Sequence, residues 1–165
     1  MSMVLYRLPA GIPGAVSRPG SPTTIEPNII LGSNPPLLYG IPVAVDSATG
    51  KIRPIGFNDT NANVFGLLVR PFPAQSAGTP LGNATPPTSG MCDVLKVGYM
   101  CVQVNAGTPS KNSAVYIRTV ANGGNTIIGG IEAVADSTNT FQLTGAYFTG
   151  AKDANGNCEV AYALQ

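Results

Sequence analysis

The chain has 165 residues, nine basic and eight acidic side chains and a formal net charge of +1, with only 10% of residues charged against about 25% in an average globular domain. No run of like charge exists to form an electrostatic footprint for nucleic acid. The absence of histidine rules out Ser-His-Asp and Cys-His catalysis and any histidine metal site.

The length suggests one domain, able to bury roughly 70% of its unfolded surface. No apolar run reaches the ~20 residues of a membrane helix, and the N-terminus lacks the basic-then-apolar pattern of a signal peptide. The chain is therefore expected to be soluble, made in the cytoplasm, and without a membrane or nucleic-acid partner. Its surface must consist largely of Thr, Ser, Asn, Gly and Pro. Such a surface suits packing in an assembly, where each buried charge would have to be desolvated.

Residues 1–38 carry seven prolines (Pro9, Pro13, Pro19, Pro22, Pro27, Pro35 and Pro36). Each fixes φ, removes a backbone donor and biases its predecessor towards an extended conformation, so neither a long helix nor a central strand fits. Met3–Pro9 and Ile25, Ile29, Ile30 and Leu31 are nevertheless too apolar for a solvated linker. The reading is an extended, adhesive arm over 1–38, followed by a β domain over 39–165.

From Tyr39 the pattern is strand, turn, strand. Val43–Val45 and Lys51–Ile55 flank the turn Asp46-Ser47-Ala48-Thr49-Gly50, a hairpin signal, while Pro42 and Pro54 confine both runs to edges or strand starts. Val64–Arg70 reads as a buried strand. Residues 71–90, with Pro71, Pro73, Pro80, Pro86 and Pro87, read as a long functional loop.

Asp93–Val104 is the strongest strand, with Leu95, Val97, Tyr99 and Cys101 on one face and Lys96, Gly98, Met100 and Val102 on the other. Ala114–Val120 follows, Val115 and Ile117 alternating with Tyr116 and Arg118. Asn122-Gly123-Gly124-Asn125 forms a turn, and Thr126–Ile131 resumes an extended run whose paired glycines suggest a bulge. Phe141–Leu143, Tyr147–Phe148 and Cys158–Tyr162 close the pattern, with a short helical turn near Ile131–Ala135. The fold class is all-β, a small barrel or sandwich.

The search for chemistry finds no enzyme. Ser110-Lys111 are neighbours that point apart, and Gly50-Lys51 lacks the rest of a phosphate loop. Asp46, Asp59, Asp93, Asp136 and Asp153 sit beside turn residues and read as turn-stabilising carboxylates. Cys92, Cys101 and Cys158 have no metal-ligand spacing, so no metal or other cofactor is implied, and three reduced, mostly buried thiols are expected. Arg7, Arg18 and Arg70 stand among prolines and apolar residues, where arginine suits partly desolvated recognition at an interface. The alternative for each is a solvated head on an apolar stem. Tyr6 and Phe72 read as aromatic anchors or core residues, and Leu8 belongs to the same apolar stretch. These six are the candidate partner-binding residues.

Several stretches occurring in order carry a resemblance. They are Val4–Gly14 (VLYRLPAGIPG), Lys51–Ile55 (KIRPI), Phe65–Pro73 (FGLLVRPFP), Pro86–Gly90 (PPTSG), Ile128–Ala133 (IGGIEA) and Phe148–Gly150 (FTG). Together they resemble the structural cement, or capsid decoration, proteins of tailed bacteriophages over essentially the whole chain. The resemblance implies a small β-barrel or jelly-roll-like domain on the outer surface of the virion. There it would bridge neighbouring major capsid proteins as a homo-oligomer, by analogy a dimer rather than a trimer. It implies neither catalytic residues nor a cofactor. A capsid-displayed receptor- or glycan-binding β-module is the alternative, weakened by the absence of tryptophan for stacking on sugars.

Overall fold

A computed structural model describes residues 11–71 and 85–163. Among these residues nine strands follow one another: β1 (Thr24–Ile30), β2 (Pro42–Val45), β3 (Ile52–Pro54), β4 (Val64–Leu68), β5 (Gly90–Ala106), β6 (Ala114–Arg118), β7 (Ile131–Glu132), β8 (Thr140–Phe148) and β9 (Asn157–Tyr162). Backbone pairing runs β1-β3-β2-β4-β5 and returns from β5 to β1, closing a five-stranded barrel. A second circuit of pairings, β5-β7-β6-β8-β9, returns from β9 to β5. Of the two architectures that the strand spacing allows, this pairing is that of a barrel, which leaves few unpaired edges.

The seventeen-residue β5 belongs to both circuits. Its first half pairs with β1 and β4, its second half with β9 and β7. The change of partner coincides with a bulge: Thr24 faces Val97 but Ile25 faces Leu95, leaving Lys96 as the extra residue. One inserted residue reverses the side-chain alternation beyond it. Leu95 therefore shares a core with Met100, Val102 and Val104, while Val94 packs with Tyr39, Val43, Ile52 and Leu68 in the smaller cluster. The single uninterrupted alternation expected from the sequence is thus broken at Lys96, and Met100 and Val102 are core residues. The ammonium of Lys96 lies 3.2 Å from the centre of the Phe65 ring and donates to the Phe65 carbonyl.

The described part of the proline-rich stretch lies against the barrel. β1 is antiparallel to β5 over its whole length and meets β3 only at Ile30, so Pro27 is flanked by a strand on one side alone, where proline is tolerated. Upstream, Gly14 N donates to Cys101 O (2.8 Å), Cys101 N to Ala15 O (2.9 Å) and Ser17 N to Tyr99 O (3.1 Å). Residues 14–17 thereby occupy the edge of β5 opposite β9. Of the expected arm, only residues 1–10 lie outside the described residues.

Elsewhere the elements follow turn chemistry. Asp46 accepts from Thr49 N (3.0 Å) and Thr49 Oγ1 (2.6 Å) across the β2–β3 turn. Asp153 accepts from the backbone of Asn155 and Asn157. β8 is one continuous strand instead of two, accommodated by Gly145 at φ +77°. Of the extended run expected over Thr126–Ile131 only Ile131 lies in a strand, as the first residue of β7, and the helical turn expected near Ile131–Ala135 is absent. A 3₁₀ turn occurs instead at Ser137–Asn139. Cys92 and Cys101 are free thiols; Cys101 and Cys158 are buried, and Cys158 Sγ donates to Gly150 O (3.2 Å).

An ion cluster is enclosed in the second circuit. Arg118 on β6 and Glu132 on β7 are each 1% exposed. The Arg118 guanidinium donates through Nε and Nη2 to both oxygens of Glu132, through Nη2 to Asp136 (2.9 Å) and through Nη1 to the Val120 carbonyl (2.9 Å). Hydrogen bonds from Arg118 and Asn122 hold the Asp136 carboxyl below the usual range. Arg53, bonded to both oxygens of Asp59, does the same for Asp59.

These shifts give a pH profile. A carboxyl depressed in the fold stabilises above its unfolded pKa, near 4, and that contribution is lost as pH falls through the folded value. Burial pushes the Cys92 thiol up to about 11 and the Cys101 thiol up to about 12. Their contribution is complete below the ordinary thiol pKa near 8.5 and fades only above it. With no histidine to titrate between, the melting temperature is expected to be flat from about pH 5.5 to 8 and to fall below about pH 4. Calorimetry across that range checks this, and a step between pH 6 and 7 would contradict it.

Candidate functional site

Arg18 and Arg70, the described members of the six candidates, both work within the chain. Arg18 bonds Glu159 on β9 through Nε (3.1 Å) and Nη2 (2.6 Å) and lies 4.0 Å over the Tyr99 ring. Ser17 Oγ adds a third bond to Glu159 (2.6 Å). Burial alone would raise the Glu159 carboxyl, but the bonds from Arg18 and Ser17 bring it below its ordinary value. The pair ties residues 17–18 across β5 to β9. Because the Arg18 side chain is more than half exposed, its contribution to stability is small.

Arg70 receives a different setting. Its backbone N–H donates to Gly14 O (2.8 Å), and its guanidinium sits 5.6 Å from the Tyr39 ring centre. Its Nη2 is enclosed without a hydrogen-bond acceptor among the described residues. Tyr6, Arg7, Leu8 and Phe72 lie outside the described residues.

Two apolar surfaces stand out on this frame. The first is a groove of about 710 Å³ whose walls include Pro35, Leu37, Leu38, Ile41, Ile55 and Ile127. Leu37 is 73% exposed, and Phe57, just beyond Gly56 in the groove wall, is 70% exposed. Past Leu38, Ile41 and Ile127 the wall continues into a cleft of about 230 Å³ that includes Pro13, Arg70, Gln103 and Asn105. Apolar side chains from 35–41, 54–57 and 126–128 thus converge from three separate stretches, unlike the singly scattered residues of an ordinary surface.

The second surface belongs to β1 and the start of β5. Ile25 and Ile29 alternate outward on β1, and Ile29 lies directly opposite Met91, which is 76% exposed. Beside them Pro71, Pro86, Pro87, Met91 and Cys92 border a smaller cleft of about 180 Å³, at the two ends of the loop expected over 71–90. Sequence reasoning picked out Ile25 and Ile29 as too apolar for a linker but passed over Leu37, Leu38, Phe57, Met91 and Ile127. The available signal was an apolar residue directly after proline or glycine, as at Leu37, Phe57 and Met91.

Both surfaces are mainly apolar; among the described residues Cys92 and Asp93 border the smaller cleft, and Arg70 borders the cleft that continues the groove. A family model described as XM1 gp53 minor capsid protein matches residues 1–162. Among solved structures, a chain from "The capsid of Myoviridae Phage XM1" superposes with a TM-score of 0.69 at 21% identity, covering 96% of this chain and 94% of that one. At that identity the likeness concerns the fold. No curated protein matches the chain significantly.

Proposed function

The chain belongs to the XM1 gp53 minor capsid protein family, and from that premise we propose that it is a structural cement of the phage head. It binds the outside of the assembled shell, bridges neighbouring major capsid proteins and holds them together against the pressure of packaged DNA. The observation that carries this reading is the pair of apolar surfaces on one continuous β frame. A bridge needs two contact faces and a rigid body between them.

The energetics follow from mass action. A protein that binds only the assembled shell adds its binding free energy to the intact state. One copy binding weakly suffices, because a homo-oligomer engaging several sites gains avidity. The low charge density favours such contacts, since little ionic surface must be desolvated when the faces close. The surface of β1 and β5, with Ile25, Ile29 and Met91, is the face assigned to the capsid.

The test is co-sedimentation of the purified protein with its cognate capsids, immature and expanded, followed by a heat challenge. Saturable binding at a symmetry-consistent stoichiometry with a raised capsid disruption temperature is expected. Met91→Asp should reduce occupancy at limiting protein by about tenfold or more, the loss of one well-buried apolar anchor. Binding with no gain in capsid stability would sink the cement reading. Absence of binding together with attachment to host cells would establish receptor recognition instead.

A further inference from the structure

The chain contains two Asn-Gly pairs, Asn122-Gly123 and Asn155-Gly156, and the fold treats them differently. An asparagine followed by glycine is chemically labile, because the next backbone nitrogen can attack the side-chain amide carbon and glycine has no side chain to hinder the approach. Asn155-Gly156 is fastened. Gly156 N donates to Asp153 O (3.0 Å), Asn155 N to Asp153 Oδ1 (2.9 Å), and Asn155 O accepts from Gln103 Nε2 (3.1 Å). A Cβ at Gly156 would fall 2.6 Å from that same Gln103 nitrogen, so the pair is also crowded. Asn122-Gly123 is open. Asn122, Gly123 and Gly124 are exposed, the Gly123 N–H meets no acceptor among the described residues, and a Cβ at Gly123 would meet nothing within 4 Å. The reciprocal bonds between Asn122 and Asn125 (both 3.0 Å) hold the ends of the turn and leave the Gly123 nitrogen out. The side chain is restrained by one exposed bond, from Asn122 Nδ2 to Asp136 Oδ2 (3.2 Å).

We infer that Asn122 is a site of spontaneous deamidation, with water as the only co-reactant, and that its product disturbs the ion cluster of Arg118, Glu132 and Asp136. The Gly123 nitrogen bonds to Asn122 Cγ, the Cγ–Nδ2 bond breaks, and ammonia leaves with the proton that the Gly123 nitrogen carried. Water then opens the resulting succinimide ring at either carbonyl. One opening gives aspartate; the other gives the isomer whose main chain runs through the side-chain carbon. The reaction is a hydrolysis throughout and calls for no oxidant or reductant. Either product replaces the donor that faces Asp136 with a carboxylate. The cluster, in which Arg118 bonds Glu132 and Asp136, then holds one guanidinium against three carboxylates instead of two. The isomer also lengthens the backbone of the turn, just before Thr126, Ile127 and Ile128 in the groove wall.

The test needs no capsid: the full chain is incubated at mildly alkaline pH, digested in acid and read by mass spectrometry, with fragmentation to place each change. Asn122 should convert about tenfold or more faster than Asn155, the factor that an extra hydrogen bond to be opened represents. A synthetic peptide of residues 119–126 sets the unrestrained rate, and Asn122 in the full chain should stay within about tenfold of it. Asn122→Gln, which would have to close a larger ring, should abolish the change. Asn122→Asp should lower the melting temperature by about 2–4 °C, through the lost donor and the added like charge. Conversion of Asn155 ahead of Asn122 would overturn the inference. So would a full chain whose Asn122 stays intact after the peptide has converted, since the fold would then protect it. An Asn122→Asp variant that melts with the parent would show the cluster indifferent to the product and overturn that half of it.

Discussion

Glu132→Ala is expected to lower unfolding stability by about 3–5 kcal/mol, because it leaves the Arg118 guanidinium buried without its main counter-charge. Arg118 and Glu132 are both 1% exposed and share two hydrogen bonds. Asp136, the remaining acidic partner, is bonded to a single guanidinium nitrogen. Removing one member of a buried pair costs far more than removing both, since the pair's own net contribution is modest. The double substitution Arg118→Met with Glu132→Leu should accordingly recover most of the loss. Urea denaturation of the two variants decides the matter. A loss below about 1 kcal/mol for Glu132→Ala would mean that water or relaxation compensates the cation, against the enclosure described here.

Gly40→Ala is expected to cost about 3 kcal/mol, the sum of a left-handed backbone penalty and local overpacking. Gly40 has φ +74°, and a Cβ there would fall 2.6 Å from Gly14 N and 3.2 Å from Cys101 O. Gly14 N is itself the donor to Cys101 O. The added methyl therefore collides with the hydrogen bond that fastens the N-terminal segment to β5. Two readouts separate the effects: the melting temperature reports the strain, and proteolysis within residues 11–18 reports release of the segment. A variant as stable as the parent, with no new cleavage near residue 15, would contradict this. The same geometry moves the truncation point for testing the N-terminal segment. A cut after residue 20 would remove the bonds of residues 14–17, whereas a cut after residue 10 leaves every described element in place.

The strands from Pro42 onward were legible because their local signals are strong. Asp46–Gly50 is a turn in both readings, and β4, β5, β6 and β9 lie within a few residues of the apolar runs that announce them. β1 was hidden by Pro27, which argues against a strand unless one neighbour is absent, and only the fold decides that. The bulge at Lys96 was equally invisible. Alternation in Asp93–Val104 looks regular in either register, since both faces carry apolar residues.

Apolar segments were legible in the sequence, but not where they come together. A charge-poor chain with apolar residues beside prolines suggested surfaces suited to contact. The convergence of Leu38, Ile55 and Ile127, however, joins segments far apart in sequence. Arginines were weighed by their neighbours in sequence, which singled out Arg7, Arg18 and Arg70 and passed over Arg118. The strand pattern set Arg118 beside Tyr116, opposite the buried Val115 and Ile117, whereas Glu132 and Asp136 draw it inside.

Under the proposed bridging role, the shared strand has a mechanical meaning. β5 is seventeen residues long, roughly 55 Å of backbone, and it runs from the surface around Met91 to the wall of the groove at Asn105. No linker interrupts it, so apart from the bulge at Lys96 a pull between those ends acts on extended backbone. The one extra residue at that bulge is the little slack the strand holds. Along the way that load is shared by hydrogen bonds to β1, β4, β9 and β7, which must shear together instead of peeling one at a time. Tension on one end of the molecule is therefore felt at the other as force, with little displacement.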